Sequence, residues 1–122
     1  PFQESRSGVM ATISRAELAR ADAIEVYNSR LLTGRSNRQA RRFATEHGIP
    51  MTAGSDAHIA EMVGRAVTRV DTDDLSVESI LTAIVEGRTV IDGSRTPWRI
   101  SLKQAATGAR RRVRNRLSEL LR

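Results

Sequence analysis

Residues 49–58 read Ile-Pro-Met-Thr-Ala-Gly-Ser-Asp-Ala-His, and this stretch carries the strongest fold signal in the chain. Its apolar start, followed by a Gly-Ser pair, predicts a short strand that ends in a turn. Side chains two residues apart on an extended segment point the same way, so Asp56 and His58 could hold one ion between them. An oxygen ligand beside a nitrogen ligand suits Zn, Mn or Fe better than Ca or Mg. Gly-Ser-Asp is also ordinary turn chemistry, which leaves a simple turn as the alternative.

The chain before this stretch predicts a second strand and a helix. Residues 23–27 have the β-branched and aromatic composition of a strand. A capping box that begins at Ser36 would start a helix, and Gly48 suits the left-handed residue that ends it. Strand, helix and strand at this spacing predict a right-handed β/α/β unit with parallel strands. Ligands gather at the carboxyl ends of such strands, where we expect Asn28 and Asp56.

Three segments in this order carry a family resemblance: ADAIEVYNS at 21–29, ATEHGIP at 44–50 and TAGSDAH at 52–58. They resemble the C-terminal part of the polymerase-and-histidinol-phosphatase (PHP) family of metal-dependent phosphoesterases, whose last metal motif has the form Gly-Ser-Asp-x-His. The resemblance covers about residues 22–70. It implies an α/β fold in which parallel β/α units form the C-terminal part of a distorted, seven-stranded (β/α)7 barrel.

The resemblance also implies roles for individual residues. Asp56 and His58 would be metal ligands and catalytic residues. Asn28 would lie on a loop beside them, where it could bind substrate through a hydrogen bond to a phosphate or orient a ligand. Arg30 and Arg35 follow in that loop and could clamp a substrate phosphate through bidentate hydrogen bonds. A turn former is the alternative for Asn28, and a solvated charged loop is the alternative for the arginines. The substrate class would be a phosphorylated small molecule or a nucleotide.

The implied reaction is hydrolysis of a phosphate ester by a metal-activated water. A bound divalent cation (Mn, Zn or Fe) would lower the pKa of a water toward about 7 and screen the charge that grows on the phosphate oxygens. Asp56 could also orient that water or bridge two metals. His58 must be neutral to bind metal, so we expect metal affinity to fall at acid pH.

The chain holds too few ligands for a complete site of this kind. The family's sites imply two or three metals bound by several histidines and carboxylates, whereas this chain has 2 histidines. One of them, His47, is explained by a favourable interaction with a helix dipole. The opening Pro1-Phe2 resembles the residues that follow an earlier family motif. We therefore expect the C-terminal part of a larger enzyme, inactive alone and partnered by the missing N-terminal part of the barrel.

Length and composition set outer limits. The chain has 122 residues, the size of one domain, whereas a full barrel needs about 200 residues or more. It contains no cysteine, which excludes disulfides and thiolate metal sites. Neither a run of eighteen apolar residues nor a signal-peptide pattern is present, so the sequence predicts no membrane span and a cytoplasmic protein.

Three further elements are predicted after the motif. Residues 65–70 alternate in the manner of a half-buried strand. Ser76 is placed to cap the next helix, with Leu75 and Ile80 at the positions of a hydrophobic staple. Residues 89–91 form a plausible short strand before a turn.

The last part of the chain has a different character. We divide the chain into residues 1–97, the PHP-like portion, and residues 98–122, a predicted amphipathic helix whose apolar residues recur every three or four positions. Residues 1–102 carry 13 basic and 13 acidic side chains, so the whole excess of positive charge lies beyond them. The seven basic residues there are Lys103, Arg110, Arg111, Arg112, Arg114, Arg116 and Arg122.

This basic segment supports an alternative function. The clustered arginines could give salt-sensitive binding to nucleic acid, although Trp98 is the one aromatic residue near them for base stacking. The same pattern fits a helix that packs on its own domain, on an anionic membrane surface or on a second chain. Sheet edges left open by a partial barrel would also favour a homodimer. The alternative is therefore a non-catalytic nucleic-acid or protein binding module.

Overall fold

The computed structural model describes residues 1–2, 9–31, 34–94 and 97. These residues form two small two-stranded sheets with helices beside them, which confirms the α/β class. The predicted basic helix at 98–122 lies outside the described residues. None of the helices among the described residues is long and apolar enough to cross a membrane.

A short 3-10 helix (Val9–Ala11) and a one-turn α-helix, α1 (Arg15–Leu18), precede the first strand. A second 3-10 helix (Ala60–Met62) follows the motif. Ser14 caps α1 in a reciprocal capping box: its Oγ accepts from the Glu17 N–H at 3.2 Å, and the Glu17 carboxylate accepts from the Ser14 N–H at 2.7 Å. Both bonds satisfy donors that a helix start leaves unpaired. The hydrogen bond from the Ser14 backbone also holds the pKa of Glu17 below its usual value.

The predicted β/α/β unit is present. Strand β1 (Ile24–Asn28) and strand β2 (Met51–Gly54) pair in parallel, from Ile24 opposite Met51 to Asn28 opposite Gly54. Helix α2 (Arg35–His47) connects them. Because the strands are parallel, their carboxyl ends lie at the same edge. The prediction that Asn28 and the Gly-Ser-Asp stretch meet at one end of the sheet therefore holds.

The core lies between this sheet and α2. Ile24 and Val26 alternate with more exposed neighbours along β1 and are 3% and 1% exposed, and Phe43 on α2 is 1% exposed. Burying a side chain of Phe size contributes about 1.5–3 kcal/mol. The other buried members of this cluster are Leu18, Ala40, Ala44 and Ile49.

The C-terminal end of α2 was predicted correctly from the sequence, whereas its N-terminal end was not. Gly48 has φ 63°, so the predicted left-handed stop is confirmed. The predicted capping box at Ser36 is wrong. The helix begins two residues earlier than that box predicts, at Arg35, with Gly34 as N-cap and no side-chain cap hydrogen bond. Ser36 therefore lies inside the first turn, where its hydroxyl is not at a capping position.

The second sheet departs from the parallel pattern. Strand β3 (Ala66–Val70) pairs with strand β4 (Thr89–Gly93) in antiparallel fashion, with helix α3 (Val77–Val85) between them in sequence. The chain after α3 returns to the end of β3 that it left, because the Asp71 N–H donates to the Arg88 carbonyl at 2.9 Å. The prediction of parallel units thus holds for the first pair of strands only. The described residues form no closed barrel.

Helix α3 starts as predicted but without the staple. The Ser76 Oγ accepts from the Ser79 N–H at 3.1 Å, which is an N-cap bond. Asp74 adds to it by accepting from the Ser76 N–H at 2.6 Å. Leu75 is 89% exposed, so the predicted staple with Ile80 is wrong. The side chains of Asp74 and Ser76 hold the helix entry instead of an apolar contact.

Threonine hydroxyls join the two sheets. Thr68 on β3 accepts from the Ala53 N–H at 2.8 Å and donates to the Ala53 carbonyl at 3.0 Å. Thr89 on β4 donates to the Met51 carbonyl at 2.8 Å. These bonds pair backbone groups on the edge of β2 that faces away from β1, where a neighbouring strand would otherwise bind. The strand that carries the motif is therefore held on both edges.

Candidate functional site

The carboxyl ends of β1 and β2 are fastened to each other by Ser29. Its N–H donates to the Gly54 carbonyl at 3.2 Å, and its Oγ donates to the Ser55 carbonyl at 3.1 Å. Ser29 is 2% exposed, so these bonds are shielded from water and competing partners. The loops that leave the two strands consequently begin from one rigid edge.

Asn28 organises the loop after β1. Asn37 on α2 holds its backbone from both sides, because the Asn28 N–H donates to the Asn37 Oδ1 at 3.1 Å and the Asn37 Nδ2 donates to the Asn28 carbonyl at 3.0 Å. The Asn28 side chain accepts from the Arg30 N–H at 3.0 Å, which closes an Asx-type turn. This geometry accounts for Asn28 as a turn former. Its predicted role in substrate binding stays a prediction.

Asp56 and Arg30 meet across the two loops. The Arg30 Nη1 donates to the Asp56 Oδ2 at 3.1 Å. About one third of each side chain is exposed, 33% for Arg30 and 34% for Asp56. An ion pair this open to solvent contributes about 0–1 kcal/mol to stability. The pair matters for its position, because it places the Arg30 guanidinium next to the motif carboxylate.

The backbone at the motif is unusual. Asp56 has φ 47°, in the left-handed region that non-glycine residues seldom occupy. Aspartate tolerates this region better than most residues because its short side chain can hydrogen-bond locally. Such conformations concentrate at functional sites. The turn aims the carboxylate of Asp56 back toward the loop after β1, where Arg30 lies.

His58 is oriented by the backbone of Asp56. Its Nδ1 lies 2.9 Å from the Asp56 carbonyl and 3.5 Å from the Asp56 Oδ1. A carbonyl oxygen can only accept, so we assign the proton of the neutral ring to Nδ1. The lone pair is then on Nε2. A histidine that donates through Nδ1 and offers Nε2 has the usual arrangement of a metal ligand.

Glu25 lies beside these groups, although it was not among the predicted site residues. A Cβ placed on Gly54 would be 3.7 Å from its carboxyl carbon, so the Glu25 carboxylate packs against the last residue of β2. Partial burial raises the pKa of Glu25, a hydrogen bond with Asn28 opposes that shift, and the charge of Asp56 adds to it. The sequence signal that could have identified Glu25 is its alternation with the buried Ile24 and Val26, which puts it on the opposite face of the sheet.

The donors at this edge suit a divalent transition metal in kind but not in number. Asp56 offers carboxylate oxygens and His58 an imidazole nitrogen, the ligands that Zn, Mn and Fe share. Within the described residues no group of three or more His, Cys, Asp or Glu side chains could hold a metal ion. Stable sites usually use three or four protein ligands. Two ligands from this chain would need others from elsewhere.

Two further residues considered in the sequence lie at the two ends of α2. His47 is at the C-terminal end, where its Nδ1 is 2.9 Å from the Phe43 carbonyl and its ring stacks on the Phe43 ring with centroids 4.1 Å apart. This supports the structural interpretation of His47. Arg35 is the first residue of α2 and has an exposed side chain. Its predicted contact with substrate stays a prediction.

Comparison with known families gives one match. The family model described as PHP-associated matches residues 34–89, from the N-cap of α2 to the first residue of β4. The matched range includes the Gly-Ser-Asp-Ala-His motif and supports a relationship with the C-terminal part of the PHP family. Neither the curated proteins nor the solved structures include a match to the chain.

Proposed function

We propose that this chain is the C-terminal, ligand-bearing part of a metal-dependent phosphoesterase of the PHP type. The observation that carries the proposal is the convergence of Arg30, Asp56 and His58 at the carboxyl edge of a parallel pair of strands. That edge is where ligands bind in α/β sheets. The PHP-associated match over the same segment supports the choice of family.

Asp56 and His58 would be this chain's contribution to the metal site. The Nδ1 of His58 is engaged by the Asp56 carbonyl, which leaves Nε2 for a metal. Arg30 engages one carboxylate oxygen of Asp56, Oδ2, and the other, Oδ1, faces His58. A divalent cation held there would act as a Lewis acid toward a phosphate ester and acidify a water. The remaining ligands would come from the N-terminal part of the barrel.

Arg30 would bind the substrate phosphate. Its guanidinium is one hydrogen bond away from the motif carboxylate, and its planar set of donors matches phosphate oxygens. The Asx-type turn at Asn28 fixes the backbone of Arg30, so its side chain departs from a defined point. The substrate class is a phosphorylated small molecule or nucleotide.

The test is a titration of the purified chain with Mn²⁺, followed by NMR. Mn²⁺ broadens signals of nuclei near its binding site, so we expect the His58 ring protons and the amides of residues 55–58 to broaden first. The double variant Asp56→Ala/His58→Ala should lose this selectivity. His47→Ala is the matched control, because it removes the second histidine of the chain and should leave the broadening unchanged.

Broadening that survives in the double variant, or that centres on His47, would contradict the proposal. Selective broadening would justify the second step, which is phosphatase activity of a longer protein that contains the N-terminal part of the barrel. There, Asp56→Ala should lower kcat by at least about a hundredfold if the residue supports a metal-dependent step.

A further inference from the structure

Helix α3 exposes a stripe of apolar side chains. Val77, Leu81 and Val85 are 74%, 56% and 53% exposed, and their spacing of four residues puts them on one side of the helix. Leu75, just before the helix, is 89% exposed. Soluble proteins seldom leave contiguous apolar surface of this kind uncovered without a binding role. We call these four residues the α3 stripe.

The surroundings of the α3 stripe are acidic. Residues 71–86 contain five acidic side chains and no basic one. Asp73 and Glu86 pair with Arg88, and Asp74 caps the helix. Among the described residues no ion pair engages Glu78, which follows Val77 directly and borders the stripe. The surface therefore combines an apolar strip with a negative margin, which favours a partner that is apolar and basic.

The chain's own C-terminal segment has that combination. Residues 103–122 carry seven basic residues and one acidic residue, the complement of the acidic run at 71–86. Their apolar positions have helical spacing, which predicts one apolar stripe on an otherwise basic helix. These positions are Leu102, Ala105 or Ala106, Ala109, Val113, Leu117 and Leu120.

The connection is long enough for the two to meet. β4 begins next to the end of α3 and runs away from it for five residues, which is about 14 Å. The eight residues from 94 to 101 can span up to about 26 Å when extended. The segment after residue 101 can therefore return along β4 to the α3 stripe without any rearrangement of the two sheets.

We propose that residues 102–120 dock as an amphipathic helix on the α3 stripe of the same chain. The apolar side of the segment covers Val77, Leu81 and Val85, and its arginines lie over the acidic margin at Glu78. Docking in this way places the remaining arginines on the outside. The proposal does not depend on metal binding or on phosphoesterase activity.

The test uses paired cysteines in the full chain, which has none of its own. Leu81→Cys is combined with Val113→Cys, on the apolar side of the segment, or with Asn115→Cys, two residues further and off the stripe. Both tail cysteines have nearly the same reach, so they are matched for chance encounter. We expect the pair with Val113 to form an intramolecular disulfide about ten times faster under mild oxidation.

A second set repeats the comparison with Val85→Cys in place of Leu81→Cys, so that the result does not rest on one substitution. Adding Glu78→Lys should slow disulfide formation by the Val113 pair severalfold, because it replaces a negative charge beside the α3 stripe with a positive one. Equal rates for the Val113 and Asn115 pairs would overturn the proposal, as would the absence of crosslinks. Disulfide-linked dimers formed at a concentration-dependent rate would overturn it in favour of a second chain as the occupant.

Discussion

The two halves of the molecule differ in strand direction and in how much apolar surface they bury. The half made of β1, α2 and β2 has parallel strands and a core in which Val26, Phe43 and Ala44 are at most 1% exposed. The half made of β3, α3 and β4 is antiparallel and leaves large apolar residues such as Val77 and Val90 largely exposed. The first half contains most of the buried core, whereas the second half leaves large apolar side chains exposed. The motif belongs to the first half.

The largest difference should come from removing apolar volume. Phe43→Ala should destabilise the protein by about 3–5 kcal/mol, because it opens a cavity at the centre of the first half. The control, Val63→Ala, removes an apolar side chain that is 73% exposed and should change stability by less than about 0.5 kcal/mol. Urea denaturation followed by circular dichroism measures both. Similar losses of stability in the two variants would show that the principal core does not lie in the first half.

A smaller loss of stability should follow from removing hydrogen bonds between the two halves. Thr68→Val keeps the shape of the side chain but removes both hydrogen bonds to Ala53, which should cost about 1–3 kcal/mol. Thr68→Ser keeps the hydroxyl and should recover part of the loss. Thr82→Val, on the exposed side of α3, is the matched control and should be nearly neutral. If Thr68→Val is also neutral by urea denaturation, the hydroxyl bonds do not hold β2.

One carboxylate from each half should respond to pH with opposite sign. Partial burial raises the pKa of Glu25, so its ionised form opposes folding, and this penalty disappears as pH falls through the raised pKa. Hydrogen bonds from Ser76 and Ser79 lower the pKa of Asp74, so its stabilising effect is present at neutral pH and is lost as pH falls through the lowered pKa. NMR titration of the two carboxyl carbons should place the pKa of Glu25 above that of Asp74 by more than the ordinary pKa values of glutamate and aspartate differ. The reverse order would contradict the packing of Glu25 against Gly54.

The smallest effect should be on exposed ion pairs. Arg30→Met breaks the pair with Asp56 in the first half, and Arg69→Met breaks the pair with Asp92 in the second. Each should cost about 0–1 kcal/mol in thermal unfolding, because both pairs are open to solvent. A markedly larger loss for Arg30 would show that the pair holds the strained turn at Asp56. Equal small losses would leave Arg30 free for a role in binding.

The sequence predicted the first half well for local reasons. The β-branched run of β1, the stop at Gly48 and the turn at the motif each depend on residues close in the chain. The meeting of Asn28 and Asp56 at one edge was also predicted, since it follows from the parallel direction of the two strands. The errors arose where local signals competed. Gly34 displaced Ser36 as N-cap of α2, and Leu75 stayed in solvent instead of forming a staple.

The chain sequence alone determined the α/β class and the strand that delivers the motif, because periodicity, capping and side-chain alternation act over a few residues. The assignment of Asp56 and His58 as a ligand pair stays a prediction. The tertiary structure decided the antiparallel second sheet, the threonine bonds to β2, the Arg30–Asp56 pair and the position of Glu25 beside Gly54. Each of these joins residues at least 15 positions apart. Such contacts depend on how the elements pack in space, which no local pattern encodes.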